Sequence, residues 1–468
     1  MSNFVPLSKM NSNSRDLSAP VCYKGVWGDN EYKTWKDVLN GTAVLRRQIN
    51  AVNSDKWLIH CEDSWHFLLA FVASLQCNKE VMITANVSPG YLSEIRGSTP
   101  FFTDLELAGG MENSFHVPSL LNKKDEGADS EFSSINSENA YFNFFTSGTT
   151  GAPKLIQQRL KEFETDNKNI LDKWGDEFFT RKICATVSHH HIAGFLFSLL
   201  LPFTAGIPFR RSMIRMPEEL QKFSDAEYFI ITVPAFLKRA VEMEIPLNLK
   251  LKSPCILASG GFIFPDLAQK TFEVFGVWPW EMYGSTETSG VGWRRQNEGP
   301  MFTPFPNCEL SVNEDNCLVV KSPYIKTKTG YFETADMVKL LPDGRFILMG
   351  RIDSVVKIEE KRISLPEVEK RISDTGLVSD VCVIKLEDSR QYLAAALVFN
   401  SKGKEKFDGL EKNEINKFWR ENLLQFFENV VIPKKWRYVD SLPADPQGKK
   451  KKEDIERLFI EKDYGSES

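Results

Sequence analysis

Paired cysteines are missing. The eight cysteines, at 22, 61, 77, 184, 255, 308, 317 and 382, are scattered, and no two stand in Cys-x2-Cys spacing. That argues against a zinc site and a disulfide framework, and suits a reducing compartment. A large charge excess is missing too. The formal net charge is −5, so nothing in the global balance points to nucleic acid. The first stretch, Met1 to Pro20, is polar, without the apolar core of a signal peptide or the arginine bias of a transit peptide. The expected location is the cytoplasm. An uninterrupted membrane-length segment is also absent. Ile192 to Phe209 is 18 residues without a charge, but Gly194, Pro202, Gly206 and Pro208 break it and no second span exists. It reads as a buried helix followed by a turn. No internal repeat is visible, and no Gly-x4-Gly-Lys-Ser/Thr phosphate loop occurs.

What is present is a large apolar reserve. Hydrophobic residues make up 42% and aromatic residues 12% of 468 positions, too long a chain for one core. From about 55 to 290, short apolar strands alternate with amphipathic helices: Trp57–Cys61, Trp65–Gln76, Val81–Ala85, Lys182–Val187, Tyr228–Thr232 and Pro254–Ala258. That alternation predicts α/β layering around a largely parallel sheet. Residues 110–139 read as a polar surface loop or linker. From 308 to 350 short strands take over, with Leu341-Pro342-Asp343-Gly344 as a hairpin tip. Beyond Arg351 the composition is strongly charged, with signals for a helix at Pro366–Ile372, strands at Val381–Leu386 and Tyr392–Phe399, and a helix at Glu411–Phe426. The expectation is a large layered α/β N-terminal domain, 1–350, and a small mobile α+β C-terminal lid domain, 351–468.

One segment concentrates chemistry. Thr146-Ser147-Gly148-Thr149-Thr150-Gly151-Ala152-Pro153-Lys154 follows the apolar run Tyr141–Phe145. Glycines let a turn after a strand expose its backbone N–H groups. With four hydroxyls and an ammonium, such a turn can wrap a polyphosphate. Four further motifs follow in order. Ser259-Gly260-Gly261 ends the strand Cys255–Ala258. Tyr283-Gly284-Ser285-Thr286-Glu287 follows the strand-like Trp278–Met282. Glu287 is a hard oxygen ligand suited to Mg²⁺. Tyr331-Phe332-Glu333-Thr334-Ala335-Asp336 precedes Gly350-Arg351-Ile352-Asp353 by fifteen residues, counted from Asp336 to Arg351. The last is Gln447-Gly448-Lys449, heading a run of lysines through Lys452.

Taken together and in this order, these segments resemble the adenylate-forming (AMP-binding) superfamily: acyl- and aryl-CoA synthetases, luciferases and adenylation domains. The resemblance covers roughly residues 25–460. Three positions depart from its pattern: Leu155 and Ala335 stand where a glycine is usual, and Glu360 replaces the glycine expected three residues after Lys357. The resemblance implies ATP and Mg²⁺ as cofactors. Thr146, Ser147, Gly148, Thr149, Thr150, Gly151 and Lys154 would hold phosphate. Gly260, Gly261, Tyr283, Gly284, Ser285 and Thr286 would border adenine and phosphate, Asp336 and Arg351 the ribose. Glu287 would carry the Mg²⁺, and Asp353 would mark the hinge. Lys449, Lys154, Thr286 and Glu287 would be the catalytic set, with the three lysines after Lys449 as solvated surface charges.

The run His189-His190-His191 invites a metal reading, but three consecutive histidines in an extended segment point alternately. The resemblance instead assigns His191, with Gly194, to the acyl-binding site. No Asp lies between 182 and 215, which argues against an amino-acid substrate. The implied reaction is ATP-dependent activation of a carboxylic acid, fatty or aryl, to an acyl-adenylate, then thioester formation. The acceptor is CoA or, given Glu360, the phosphopantetheine of an acyl carrier protein. An inactive nucleotide-binding protein is the alternative from another class.

Overall fold

The computed structural model describes residues 4–28, 31–106, 112–123, 131–147, 153–223, 227–243, 252–352, 355–358, 361–388, 391–429, 431–444, 450 and 452–460. The chain divides into two compact units. The first comprises Met1–Leu310, Val320–Phe332 and Leu341–Ile347, the second Ser311–Val319, Glu333–Leu340 and Leu348–Ser468.

Two sheets build the first unit. In the larger, Trp280–Ser285, Lys252–Ala258, Glu227–Thr232, Lys182–Ala185, Phe209–Arg210 and Pro20–Tyr23 run parallel in that spatial order. Antiparallel strands close both ends: Ser289–Arg295 and Thr303–Pro304 at one, Tyr32–Thr34 at the other. The second sheet orders Ser114–His116, Phe101–Thr103, Lys56–His60, Glu80–Ile83 and Tyr141–Ser147, all parallel, then Pro153–Arg159 antiparallel. These strands are short and apolar because both faces are covered by helices.

The helices start where capping chemistry allows. Thr34 and Asp37 form a reciprocal capping box at the head of Trp35–Asn50. Asp63 accepts from the Trp65 N–H at 2.9 Å at the head of Ser64–Gln76. Between the sheets lies an aromatic junction. The Phe195 ring sits 5.0 Å from Phe71, 5.3 Å from Phe142, 5.5 Å from Phe144, 5.9 Å from Phe163 and 6.3 Å from Phe67. It thereby joins the strand Tyr141–Ser147, the helices Ser64–Gln76 and Leu160–Thr180, and the helical run that begins at Ile192.

Several expectations are met with shifted ends. The uncharged run is helical from Ile192 to Ala205, with a widened π-type stretch over Phe195–Leu200. Gly206, at φ +69°, ends it. The hairpin tip is a turn in which Gly344 N–H bonds Leu341 O at 3.0 Å. Among the described residues, no helix is long and apolar enough to cross a membrane. Two expectations need correction. Residues 110–139 are not only a loop: Ser114–His116 is an edge strand and Val117–Leu121 a helix. Phe115 explains the strand, packing its ring 5.4 Å from Trp57 and 6.1 Å from Phe102, a tertiary contact invisible in a polar window. The strand expected to stop at Met282 runs from Trp280 to Ser285.

In the second unit, Val378–Glu387 pairs antiparallel with Gln391–Phe399, which pairs parallel with Lys435–Tyr438. The alternation of the first strand serves two cores. Val381 and Val383 face Val368, Trp419 and Trp436, while Ile384 faces Ala394, Ala396, Ile455 and Phe459. Helices Leu365–Ser373, Lys412–Leu423 and Lys452–Ile460 supply the covering residues. Strand Lys435–Tyr438 and helix Lys452–Ile460 extend the four elements expected here.

Phe195→Ala should lower the stability of the chain by about 3–5 kcal/mol, the usual cost of emptying a buried aromatic site. Urea unfolding followed by tryptophan fluorescence measures it. A loss under about 1 kcal/mol would mean the junction repacks.

Candidate active site

The Gly/Thr-rich loop is framed by a hairpin. Thr146 lies opposite Lys154 and Ser147 opposite Pro153. Gly148, Thr149, Thr150 and Gly151 lie outside the described residues, as do Asp353, Glu360 and Lys449. Lys154 extends from the returning strand, and its Nζ stands 3.9 Å from Glu287 Oε1. The first and third motifs therefore meet. Gln158, on the same strand and buried, donates from Nε2 to Thr286 O at 2.8 Å and pins the backbone of that third motif.

The third motif is a strand end and a tight turn. Tyr283, Gly284 and Ser285 still belong to the strand, opposite Gly292, Gly290 and Ser289. Thr286 and Glu287 stand in the turn. Ser285 N–H donates to Thr288 Oγ1 at 3.0 Å, and Ser289 closes the turn at φ +55°. That left-handed conformation is costly for a residue with a side chain. Ser289 Oγ donates to Asp166 Oδ2 at 2.8 Å, which offsets it. Gly284 is required here: a Cβ would lie 2.1 Å from Ser289 O. The Tyr283 ring lies 5.6 Å from Phe346 and 6.0 Å from Phe302.

The second motif is held by a buried ion pair. Gly260 has φ +80°, so the turn after Lys252–Ala258 needs glycine there. Just beyond it, Ile263 N–H donates to Glu281 Oε2 at 3.2 Å, and Ile263 O accepts from Gln296 Nε2 at 2.8 Å. Glu281 is bound bidentately by Arg294, at 3.0 and 2.9 Å, with the two side chains only 4% and 3% exposed. Arg294 also lies over the Phe262 and Phe302 rings at 4.7 and 4.4 Å. The Gly260-Gly261 turn is thus tied to the strand carrying Tyr283.

The histidine run is arranged differently from the alternation expected. His189 and His190 are both buried, and their rings lie 4.4 Å apart. His60 stacks on His190 at 4.2 Å and 5°. A turn replaces the extended segment, so neighbours share a side. His189 Nε2 bonds Cys61 O at 2.8 Å and Nδ1 bonds Ser64 Oγ at 3.0 Å. Burial pushes His189 down to about 4 and lowers His190 and His60 as well, so the cluster is neutral at pH 7. Among the described residues, no three His, Cys, Asp or Glu side chains gather in a way that could hold a metal. His191 is half-buried at the head of the helix and accepts from Phe195 N–H at 2.8 Å through its carbonyl.

Asp336 and Arg351 belong to the second unit. Asp336 lies on the strand Phe332–Leu340, where its N–H donates to Thr334 Oγ1 at 3.1 Å. Arg351 Nη1 lies 3.3 Å from Asp336 Oδ1, joining the Asp336 and Arg351 motifs. One lysine expectation needs correction. Lys450 is not a solvated surface charge: its Nζ contacts Asp380 Oδ1 at 2.6 Å and Val381 O at 2.8 Å. Lys452 is exposed and pairs with Glu456 one turn on, as expected of a surface residue.

Gln158, Asp166, Glu281 and Arg294 were not singled out in the sequence. Their role is to hold backbone, and a single charged or amide residue in a strand or helix carries no motif.

Two outcomes follow for this scaffold. Glu281→Gln should destabilise the chain by about 3–5 kcal/mol, because Arg294 keeps a buried charge without its partner. Thermal unfolding checks this, and an unchanged midpoint removes the pair from the scaffold. Burial pushes the Asp166 carboxyl up to about 6, against hydrogen bonds from Tyr324, Ser289 and Asn307. The folded state therefore holds this proton more tightly than the unfolded chain, with its carboxyl at about 3.9. The resulting stability is present below about pH 4 and is lost as pH rises through about 6. Against Asp166→Asn, wild type should lose unfolding free energy between pH 4 and 7. A pH-independent difference in urea midpoints would contradict this.

The AMP-binding enzyme family profile matches residues 106–323. Acetyl-coenzyme A synthetase 1 of Kluyveromyces lactis is 24% identical over 396 residues, covering 71% of this chain and 54% of that protein. Malonate–CoA ligase of Arabidopsis thaliana is 22% identical over 370 residues, covering 67% of this chain and 60% of its own. The match thus spans a little over half the length of these two relatives. Among solved structures, the O-succinylbenzoate–CoA synthetase of Bacillus subtilis in complex with ATP and magnesium superposes with a TM-score of 0.72 at 17% identity, over 93% of this chain and 96% of that one. Residues 106–323 are thus similar to the AMP-binding enzymes, and the chain has the fold of this coenzyme A synthetase.

Proposed function

We propose that this chain is an acid–thiol ligase that activates a carboxylic acid with ATP. The observation that carries the reading is the Lys154–Glu287 approach of 3.9 Å, which brings a cation at the exit of the Gly/Thr-rich loop against a carboxylate on the Tyr283–Glu287 turn. A triphosphate needs both: an ammonium for its oxygens, and a hard oxygen ligand for the ion that accompanies it. Mg²⁺ takes one or two carboxylates and fills its remaining positions from phosphate and water. Glu287 fits that demand, and the ion would neutralise charge on the phosphates.

In the first step a carboxylate oxygen of the acid attacks the α-phosphorus. A P–O bond forms to the acyl group, and the bond to pyrophosphate breaks. In the second step a thiol sulfur attacks the acyl carbon, AMP leaves, and the thiol proton passes to solvent. No side chain acts as nucleophile, so the protein contributes orientation and charge stabilisation. Lys154 binds phosphate, Thr286 offers it a hydroxyl, and Tyr283 and the Gly260-Gly261 turn present flat surfaces for adenine. The motifs of the second unit assign Asp336 and Arg351 to the ribose and Lys449 to charge developing at the α-phosphate. CoA is the acceptor read from the relatives. Glu360, in place of a glycine, keeps a carrier-protein phosphopantetheine as the second acceptor.

ATP–pyrophosphate exchange with acetate, malonate, benzoate, 4-coumarate, octanoate and palmitate tests the reading. Exchange with one or more acids and Mg²⁺ is expected, and none with any would favour a nucleotide-binding protein without catalysis. Loading assays with CoA and with a phosphopantetheinylated carrier protein separate the acceptors. Asp336→Ala should raise the KM for ATP by about tenfold, as a ribose left with an unpaired hydroxyl costs about 1–3 kcal/mol. An unchanged KM would take Asp336 out of the site.

A further inference from the structure

Gln158 carries a cost that packing does not explain. It lies in the strand Pro153–Arg159, opposite Phe142, and is 1% exposed. Its Nε2 has a partner, Thr286 O at 2.8 Å. Its Oε1 is buried and, among the described residues, has none. A buried acceptor without a donor loses its bonds to water and gains nothing in return. The surroundings suit an apolar side chain. Cross-strand neighbours share a face, and the Phe142 ring packs 5.0 Å from Phe163 and 5.3 Å from Phe195. A leucine or methionine would fill this place without stranding a polar atom.

What the amide does is fix one peptide. A peptide unit is planar, so holding the Thr286 oxygen orients the plane that contains both Thr286 Cα and Glu287 Cα. From those two atoms spring the hydroxyl assigned to phosphate and the carboxylate assigned to the ion. The peptide sits in the turn between the paired residues Ser285 and Ser289. The ends of that turn are held by Ser285 N–H on Thr288 Oγ1 at 3.0 Å and by Ser289 Oγ on Asp166 Oδ2 at 2.8 Å. Gln158 adds a hold on the middle. Lys154, four residues earlier on the same strand and so on the same face, brings its Nζ to 3.9 Å from Glu287 Oε1.

We propose that Gln158 is a positioning residue, whose amide holds the Thr286–Glu287 peptide so that the Glu287 carboxylate meets the ion that accompanies ATP. This rests on the assignment of Glu287 given above. A carboxylate aimed beforehand binds the ion without first having to be ordered. Losing the hold therefore weakens the part of ATP binding that the ion supplies. A residue that merely stabilised the unit would weaken ATP binding with and without the ion alike.

The test measures ATP binding to the full chain by isothermal titration, once with Mg²⁺ and once with EDTA. The ratio of the two dissociation constants is the gain that the ion supplies, a readout that needs no turnover. The variants are Gln158→Met, which keeps the volume and removes the donor, Gln158→Leu, Glu287→Gln, and Gln158→Met combined with Glu287→Gln. Gln157→Met is the control, an exposed neighbour on the other face of the strand. Gln158→Met and Gln158→Leu should each shrink the ratio by about tenfold, with ATP affinity in EDTA within about twofold of wild type. Their thermal unfolding midpoints should be unchanged or higher, because the unpartnered oxygen is gone. Glu287→Gln should shrink the ratio at least as far, and the double variant should be no worse than Glu287→Gln, because both changes act on one contact. Gln157→Met should keep the wild-type ratio. A wild-type ratio in Gln158→Met, equal weakening with and without Mg²⁺, or the same loss in Gln157→Met would each overturn the proposal. If Glu287→Gln keeps the full ratio, the assignment of Glu287 fails and the positioning role fails with it. If Glu287→Gln loses the ratio while Gln158→Met keeps it, the positioning role alone fails.

Discussion

Phe195 is the point on which the first unit depends. Its ring makes aromatic contacts with five phenylalanines drawn from one strand and two helices. The strand Tyr141–Ser147 leads into the Gly/Thr-rich loop, and the helical run holding Phe195 begins just after His191. One dry aromatic contact thus sets the separation between two elements that carry candidate site residues. Aromatic pairs are directional, so such a junction fixes orientation as well as distance. The widened π-type stretch over Phe195–Leu200 falls at the same place. Wider turns of this kind are frequent near functional sites.

Around that junction the motifs are held by buried polar contacts rather than by their own side chains. Gln158 holds the backbone of Thr286, Asp166 holds Ser289, and Glu281 with Arg294 and Gln296 holds the turn after Gly261. Each holder reaches across from a different segment. The consequence is that Lys154, Thr286 and Glu287 hang on a scaffold whose backbone is settled beforehand. Preorganisation of that kind would make charge stabilisation effective in the proposed reaction, which uses no side-chain nucleophile. Tight turns supply the remaining constraint. Gly284 leaves no room for a Cβ beside Ser289 O, and Gly260 takes a left-handed φ.

In the second unit the same logic operates at smaller scale. One strand, Val378–Glu387, feeds two cores through its alternating faces and offers Asp380 to Lys450. A lysine run that reads as uniform in sequence is divided by that strand into a clamped residue and an exposed one. Asp336 and Arg351, fifteen residues apart, meet because their strands, Phe332–Leu340 and Phe346–Arg351, are neighbours in one sheet.

Much was legible in the residues alone. Apolar runs at Trp57–Cys61, Tyr228–Thr232 and Pro254–Ala258 announced buried parallel strands, since only a strand covered on both faces is apolar throughout. Glycine and proline broke Ile192–Phe209 where the helix stops at Gly206. The order of the Gly/Thr-rich loop, Gly260-Gly261, Tyr283–Glu287, Asp336 and Arg351 was visible because backbone turns and charged groups near phosphate demand particular residue types. Other features were decided only by the tertiary structure. The edge strand at Ser114–His116 exists because Phe115 finds Trp57 and Phe102. The inward pairing of His189 with His190 exists because a turn and the His60 ring replace an extended chain. The clamp on Lys450 exists because Asp380 lies 70 residues away in sequence and 2.6 Å away in space. Local pattern reports what a segment demands of its backbone. Which distant side chain answers that demand is set by packing, and no window of sequence contains it.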